Sequence, residues 1–479
     1  MTTRSHIAFY INGRRVTASD KRAFMPLADF LREEKSLTGT KIVCAEGDCG
    51  ACTVIQGNLT SDGMDVEFKP FNSCITPVYL LDGSHVVTVD ALDSCGELDS
   101  VQSAFVGCHA SQCGFCTPGF IMSTTAMMER KDQPTKKDVQ NYLTGNLCRC
   151  TGYDAIIDAG QSIDPMEYIP LKARFHTEAI SEDLRAIRQQ ALGLSDGRYR
   201  YFAPTSLQSA LELVQTEKPQ LIAGSTDLGV QINKGRNTNT IFLSLALVPE
   251  AQVLKDEGDS IRIGASVTWE SIRRFLKESS PQFADFIHLF ASPQIKNVGT
   301  LVGNVANASP IADAIGYLMM MEATIHLAGP NGERDVPIVD FYLGYKKLNM
   351  ESGEIILSIS IPKPTANQTI KVYKISARRD LDISCVNAAI LLEENNGVIQ
   401  DIRLAYGGIG PVVKRLRETE SALLGQHVSK DNFFAASKLI STEITPISDV
   451  RGSARFRHQV SRNLLKRFFV ETQNTLEQP

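Results

Sequence analysis

Ten of the chain's eleven cysteines lie between Cys44 and Cys150, and only Cys385 falls outside that stretch. Thiols gathered this way point to metal binding rather than to scattered packing. Cys44, Cys49 and Cys52 stand in CAEGDCGAC, a C-x4-C-x2-C run, and Cys74 follows after 21 further residues. With that spacing four thiolates hold a [2Fe–2S] cluster. Three sulfurs must converge from one tight loop, and Gly47 and Gly50 let the backbone fold back on itself. Backbone N–H groups in such a loop then donate to sulfur and raise the potential. A structural zinc site is the alternative, although such sites pair C-x2-C with a second close pair and Cys74 has no near partner.

A second set consists of Cys113-x2-Cys116 and, 31 residues on, Cys148-x-Cys150. A C-x-C pair does not make a zinc knuckle, but it can give two thiolates to one iron of a binuclear cluster. Both pairs fall at expected helix ends. Pro118 suits the first turn of a helix restarting after Cys116, and helix N-terminal dipoles stabilise thiolates. By spacing alone zinc stays open here; beside a first cluster, the set reads as the next stop on an electron path. Cys95, Cys108 and Cys385 lie outside both motifs and are assigned to packing.

The elements that must position these residues follow from periodicity and turn signals. HIAFYINGRRV alternates around Asn-Gly, the strongest short hairpin signal. PLADFLREEK reads as a helix with Pro at its first turn, and ACTVIQG as a strand. Together they predict a small mixed domain over residues 1–90. Helical patterns in ELDSVQSAFVGCHA, TPGFIMSTTAMMERK and PTKKDVQNYLTG predict a helical domain over 91–165. Residues 166–197 read as a linker or, through SEDLRAIRQQALG, as a peripheral helix. Helices and strands then alternate through 198–367, with glycine at the turns. Residues 368–479 offer strands in VNAAILLEE and IRLAYGGI and an amphipathic helix in ARFRHQVSRNLLKRFF.

At 479 residues the chain is too long for one core and should hold three or four domains. Hydrophobic residues at 43% and charged residues at 22% exclude a largely disordered chain. A net charge of −5 gives no basic excess for a nucleic-acid partner. No apolar run reaches a membrane span and no signal-peptide core stands at the start, so a cytoplasmic protein without membrane contact is expected. Eight histidines are scattered without metal spacing, and no Ser-His-Asp or paired-carboxylate arrangement stands out. By spacing and composition alone, an iron–sulfur electron carrier and a zinc-stabilised scaffold both remain open.

QCGFCTPGFIMS (112–123) with GNLCRCTGY (145–153) resembles the second iron–sulfur motif of the molybdenum hydroxylases, the family of xanthine dehydrogenases and aldehyde oxidases. CAEGDCGACTV (44–54) with NSC (72–74) is similar to that family's first motif. The resemblance implies an α+β multidomain chain: a β-grasp ferredoxin-like domain, a four-helix-bundle [2Fe–2S] domain, an FAD domain of the vanillyl-alcohol-oxidase type and a C-terminal α+β flavoprotein domain. It places Gln112 and Cys150 near the pterin of a large molybdopterin-binding partner, in a dimer of heterodimers.

A first FAD loop is implied at Leu221, Ile222, Ala223, Gly224, Ser225, Thr226 and Asp227, and a second at Thr300, Leu301, Val302, Gly303 and Asn304. Phe290 is expected against the flavin, with Asp313, Leu357 and Lys374 as further contacts. Val302 departs from the family's usual glycine, and a valine needs φ below zero. FYLGYKK (341–347), ISARRDLDIS (375–384) and AYGGI (405–409) are also similar to family strings, most of all to the small subunit of the xanthine-type branch. The implied activity is oxidation of hypoxanthine and xanthine to urate by the complex. Electrons would pass from molybdenum through the two clusters to FAD and then NAD; the alternatives are a stand-alone flavin and iron–sulfur NADH reductase, or the small subunit of another aldehyde- or heterocycle-hydroxylating molybdenum enzyme.

Overall fold

The computed structural model describes residues 3–60, 63, 65–93, 96–130 and 133–476. The chain forms two compact units, residues 1–249 with 292–299, and residues 250–291 with 300–479. The stretch expected to bind FAD, 198–367, therefore contributes to both.

The first unit opens with the expected hairpin. Ile7–Ile11 pairs antiparallel with Arg14–Ala18 through Asn12 and Gly13, at φ +51° and +77°. Both values are left-handed, as a two-residue primed turn demands. Ile7–Ile11 also runs parallel to His85–Val87, which pairs with Thr53–Leu59, itself antiparallel to Val66–Asn72. Phe9, Phe30 and Phe71 pack beneath this five-stranded sheet. The segment from Pro26 is helical as expected, but after Leu27–Asp29 it widens into a π-type turn over Phe30–Glu34.

Four helices follow: Ser100–Gly107, Thr117–Met128, Lys136–Tyr142 and Asp154–Ser162. Thr117–Met128 is buried all along Gly119 to Met128, as a segment with apolar or small residues on every side must be. Asp99 and Thr135 close capping boxes on the first and third helices.

Residues 166–197 take the helical alternative. Leu171–Phe175 and Glu178–Arg188 bury Leu171, Ile180, Leu184 and Ile187, and the Asp183 carboxylate accepts from the Tyr10 hydroxyl at 2.9 Å and Arg15 Nε at 2.7 Å. The segment is thus fastened to the first sheet. A second sheet of this unit has the order Leu192–Ser195, Arg200–Ala203, Ile241–Leu243, Gln220–Leu221.

The second unit holds a five-stranded antiparallel sheet, Leu254–Asp256, Ser260–Gly264, Ile355–Pro362, Thr324–Gly329 and Gly332–Pro337. A four-stranded sheet of this unit is the meander Gln368–Ile375, Val386–Asn395, Val398–Gly407 and Lys414–Arg415, and Tyr342–Gly344 pairs with Lys347–Leu348 in a small third one. Leu404, Tyr406, Phe433 and Phe468 join that meander to the helices Lys430–Glu443 and Ala454–Leu476 in one core. Cys385 is buried in this core and Cys108 packs partly buried on the helical one, as assigned; Cys95 lies outside the described residues. Among the described residues no helix is long and apolar enough to cross a membrane.

Candidate functional site

The loop 44–52 brings the first cysteine set together. Gly47 and Gly50 take φ +72° and +69°, and a Cβ on Gly50 would stand 2.2 Å from the Gly145 carbonyl oxygen, so the loop needs glycine for conformation and for space. Cys52 and Cys74 are buried, while Cys44 and Cys49 are half-buried. Hydrogen bonds from Cys49 and Cys74 hold the Cys44 thiol well below the ordinary range, helped by the Glu46 N–H at 3.4 Å from its sulfur. The contact with Cys44 pushes Cys74 up.

Cys44 contacts both Cys49 and Cys74, and Cys74 also contacts Cys52, so the four sulfurs form one contiguous set. Four thiols gathered in one place suit two irons that take two thiolates each. Asn72, 2% exposed, has neither amide atom bonded and lies beside Gly47, an unspent donor facing the loop. The donor set and this orphaned amide fit a [2Fe–2S] cluster.

The second set is more open. Cys113 and Cys150 are exposed with their sulfurs 3.6 Å apart, and Cys116 and Cys148 are half-buried. Burial and the neighbouring Cys148 push Cys116 up to about 12. Against its own desolvation, the Thr151 hydroxyl at 3.2 Å and the Thr151 N–H lower Cys148. The Tyr153 hydroxyl accepts from Cys148 N at 2.9 Å and steadies the turn. Phe115 and Leu147, 51% and 40% exposed, flank the cysteines, and Gln112 is exposed with them.

Two contacts tie these sets to their neighbours. The Leu147 N–H donates to the Cys49 carbonyl at 2.9 Å, joining a residue next to Cys148 to a residue of the first set. The Asn233 amide donates to the Cys74 carbonyl at 2.8 Å and to Ala45 O at 3.0 Å. Asn233 ends the helix Leu228–Asn233, which begins directly after the loop 221–227. Asn72 and Asn233 were not singled out from sequence; the NSC string held the only hint of the former.

Within the first unit, Leu221 closes the strand Gln220–Leu221 and Ile222 is buried, its N–H bonded to Leu243 O. Gly224 lies so tightly on Val298 that a Cβ would meet its carbonyl oxygen at 1.8 Å. Ser225 has φ +60° and a buried, unbonded hydroxyl, and Asp227 accepts from Gln231 at 2.6 Å. A strained, orphaned serine in a loop closed by Gly224 fits an anionic group that accepts from it.

Within the second unit, the expected second loop is a helix, Leu301–Asn307, capped by the Thr300 hydroxyl on Gly303 N. Val302 sits inside that helix and is 6% exposed, so its position never needed glycine. Asn304 Oδ1 is buried without a partner. Phe290 ends the helix Pro281–Phe290 and meets Trp269 edge-on at 4.7 Å. Leu357 is buried in Ile355–Pro362. Asp313 and Lys374 bond each other at 2.5 Å, and the carboxylate also accepts from Ser384 and Asn387, so both serve a buried polar cluster of this unit.

Four families match the chain in succession. Residues 9–79 match the 2Fe-2S iron-sulfur cluster binding domain and residues 88–161 the [2Fe-2S] binding domain. Residues 197–364 match the FAD binding domain in molybdopterin dehydrogenase and residues 371–472 the CO dehydrogenase flavoprotein C-terminal domain. Xanthine dehydrogenase 1 of Arabidopsis thaliana is 30% identical over 96% of the chain and 39% of its own length. Aldehyde oxidase 4 of Cavia porcellus is 29% identical over 98% of the chain and 39% of its own length. The chain therefore spans about two fifths of these relatives. A structure of carbon monoxide dehydrogenase from Hydrogenophaga pseudoflava aligns at TM-score 0.54 and 27% identity, over 56% of this chain and 95% of that one.

Proposed function

We propose that this chain, which its four successive domains mark as the iron–sulfur and FAD electron-transfer part of a molybdenum hydroxylase, serves a xanthine dehydrogenase. In this reading it carries electrons from a large molybdopterin-binding partner to NAD, in the cytoplasm, as a dimer of heterodimers. Clusters pass single electrons and a flavin exchanges a hydride with a nicotinamide, which together let one chain join a partner's oxidation to NAD.

Cys113, Cys116, Cys148 and Cys150 hold the entry cluster, because theirs is the more exposed set. Cys44, Cys49, Cys52 and Cys74 hold the inner one. The FAD contacts proposed are residues 221–227 of the first unit and, in the second, Phe290, residues 300–304, Asp313, Leu357 and Lys374. The observation that carries the order is the run of contacts within the first unit: Cys148 neighbours Leu147, Leu147 bonds Cys49, and Cys74 bonds Asn233, whose helix opens at Asp227.

The test is to purify the chain from its source, identify any large chain that comes with it, and assay the complex with xanthine and NAD. Urate and NADH formation supports the reading. A molybdenum-containing partner that ignores xanthine but oxidises aldehydes moves the chain to another branch, and recovery alone, with NADH reductase activity, overturns the partnered role.

A further inference from the structure

We propose that Gln294 is a positioning residue that fixes the separation of the two iron–sulfur sites; this rests on the reading of the two cysteine sets as cluster ligands. Gln294 belongs to the short helix Pro293–Lys296, in a stretch of the FAD-binding match, yet its side chain is fully buried among residues of both cysteine-bearing domains, all within the first unit. Its amide nitrogen donates to Thr53 Oγ1 at 3.2 Å, Ser123 Oγ at 3.1 Å and Asn146 Oδ1 at 2.9 Å. Thr53 follows the first loop directly, Ser123 lies on the helix that follows Cys116, and Asn146 stands two residues before Cys148.

The direction of these bonds is settled by what their partners do. The Thr53 hydroxyl already donates to Gly50 O at 2.7 Å, and the Ser123 hydroxyl to Asn146 Oδ1 at 2.7 Å. Both can only accept from Gln294, so the amide nitrogen faces them. Asn146 in turn donates to Gly50 O at 3.1 Å. One side chain thereby gathers the loop of the first set and the turn leading to the second on a single carbonyl, Gly50 O.

The backbones are pressed together around this node. A Cβ on Gly145 would meet Gln294 Oε1 at 2.1 Å, and one on Gly119 would meet Gly50 O at 2.2 Å. Gln294 Oε1 itself has no partner. A buried polar network fully bonded on its donor side holds a single geometry, and an apolar replacement of the same length releases it while filling the space. Transfer between two redox groups is sensitive to small displacements, so a residue that sets the gap sets the rate without touching either group.

The test uses the full chain with its clusters, as wild type and as Gln294→Met. Both are reduced with dithionite, and the magnetic splitting between the two reduced clusters is read by low-temperature EPR. The rate of electron passage between them is read by rapid mixing with NADH. Expected is four irons per chain in both proteins, with a diminished splitting and a severalfold lower rate in the variant, because electron transfer slows exponentially as the gap widens. A lower melting temperature with wild-type splitting and rate would make Gln294 a packing residue and overturn the proposal. Should Gln294→Met fail to take up iron, Ser123→Ala decides: it removes one acceptor of the amide, and an unchanged splitting overturns the proposal. Wild type lacking two distinct cluster signals would instead count against the cluster assignment itself.

Discussion

Cys148 shows how much a single residue reveals of its role. Its thiol accepts from Thr151 and neighbours a backbone bond, Leu147 N to Cys49 O, that reaches the first set, so replacing it should disable one site and spare the other. Cys148→Ser is expected to remove one of two EPR signals and halve the cluster iron; zinc in the wild type, or loss of both signals in the variant, would contradict this. Gly50 makes a second case. Gly50→Ala combines φ +69° with a Cβ 2.2 Å from Gly145 O, whereas Gly235→Ala has φ +65° and open space. Urea unfolding should show about 1–2 kcal/mol lost at Gly235 and clearly more at Gly50, the excess measuring the close approach of two backbones.

The cysteines were legible because ligand chemistry dictates both residue type and spacing. Asn233 and Gln294 were not, since their partners lie on distant parts of the chain and a lone amide in a sequence resembles any surface amide.

Elements were legible where local rules agree with packing. The Asn12–Gly13 hairpin, the capped helices and the buried strand Val386–Asn395 all follow from turn chemistry or apolar runs. The second FAD loop did not, because Thr300 caps a helix that the glycine-rich string concealed.

One strand carries a pH dependence. His85, in His85–Val87, is fully buried beside Tyr10, Phe68 and Phe175, and its Nε2 accepts the Gly13 N–H at 2.9 Å. Burial, with His176 adding to it, lowers its pKa from 6.5 to about 4. The folded chain therefore binds fewer protons than the unfolded one between these values. Its contribution, about 3 kcal/mol, is complete above pH 6.5 and lost as pH falls toward 4. Urea midpoints measured between pH 7.5 and 4.5 should fall more steeply for wild type than for His85→Phe, and parallel curves would remove His85 from the account.

At the scale of the whole molecule, exposure and contact support the relay direction proposed above. Cys113 and Cys150 are open to a partner, whereas Cys52 and Cys74 are enclosed and bonded toward the helix that follows residues 221–227. In the proposed complex, electrons arriving from a molybdopterin partner would cross the outer set before the inner one, while electrons from NADH to a dye would not need to cross the outer set. The chain purified with its clusters and FAD should thus reduce a dye with NADH and leave xanthine untouched. Joined to the large chain, it should gain xanthine-to-NAD turnover. Cys113→Ser, assayed in that complex, is expected to abolish most xanthine-to-NAD turnover and to keep NADH-to-dye activity near wild type, because only the first route passes through that ligand set. An equal loss of both activities, in protein that still holds its flavin, would place the outer set between FAD and the dye and reverse the order.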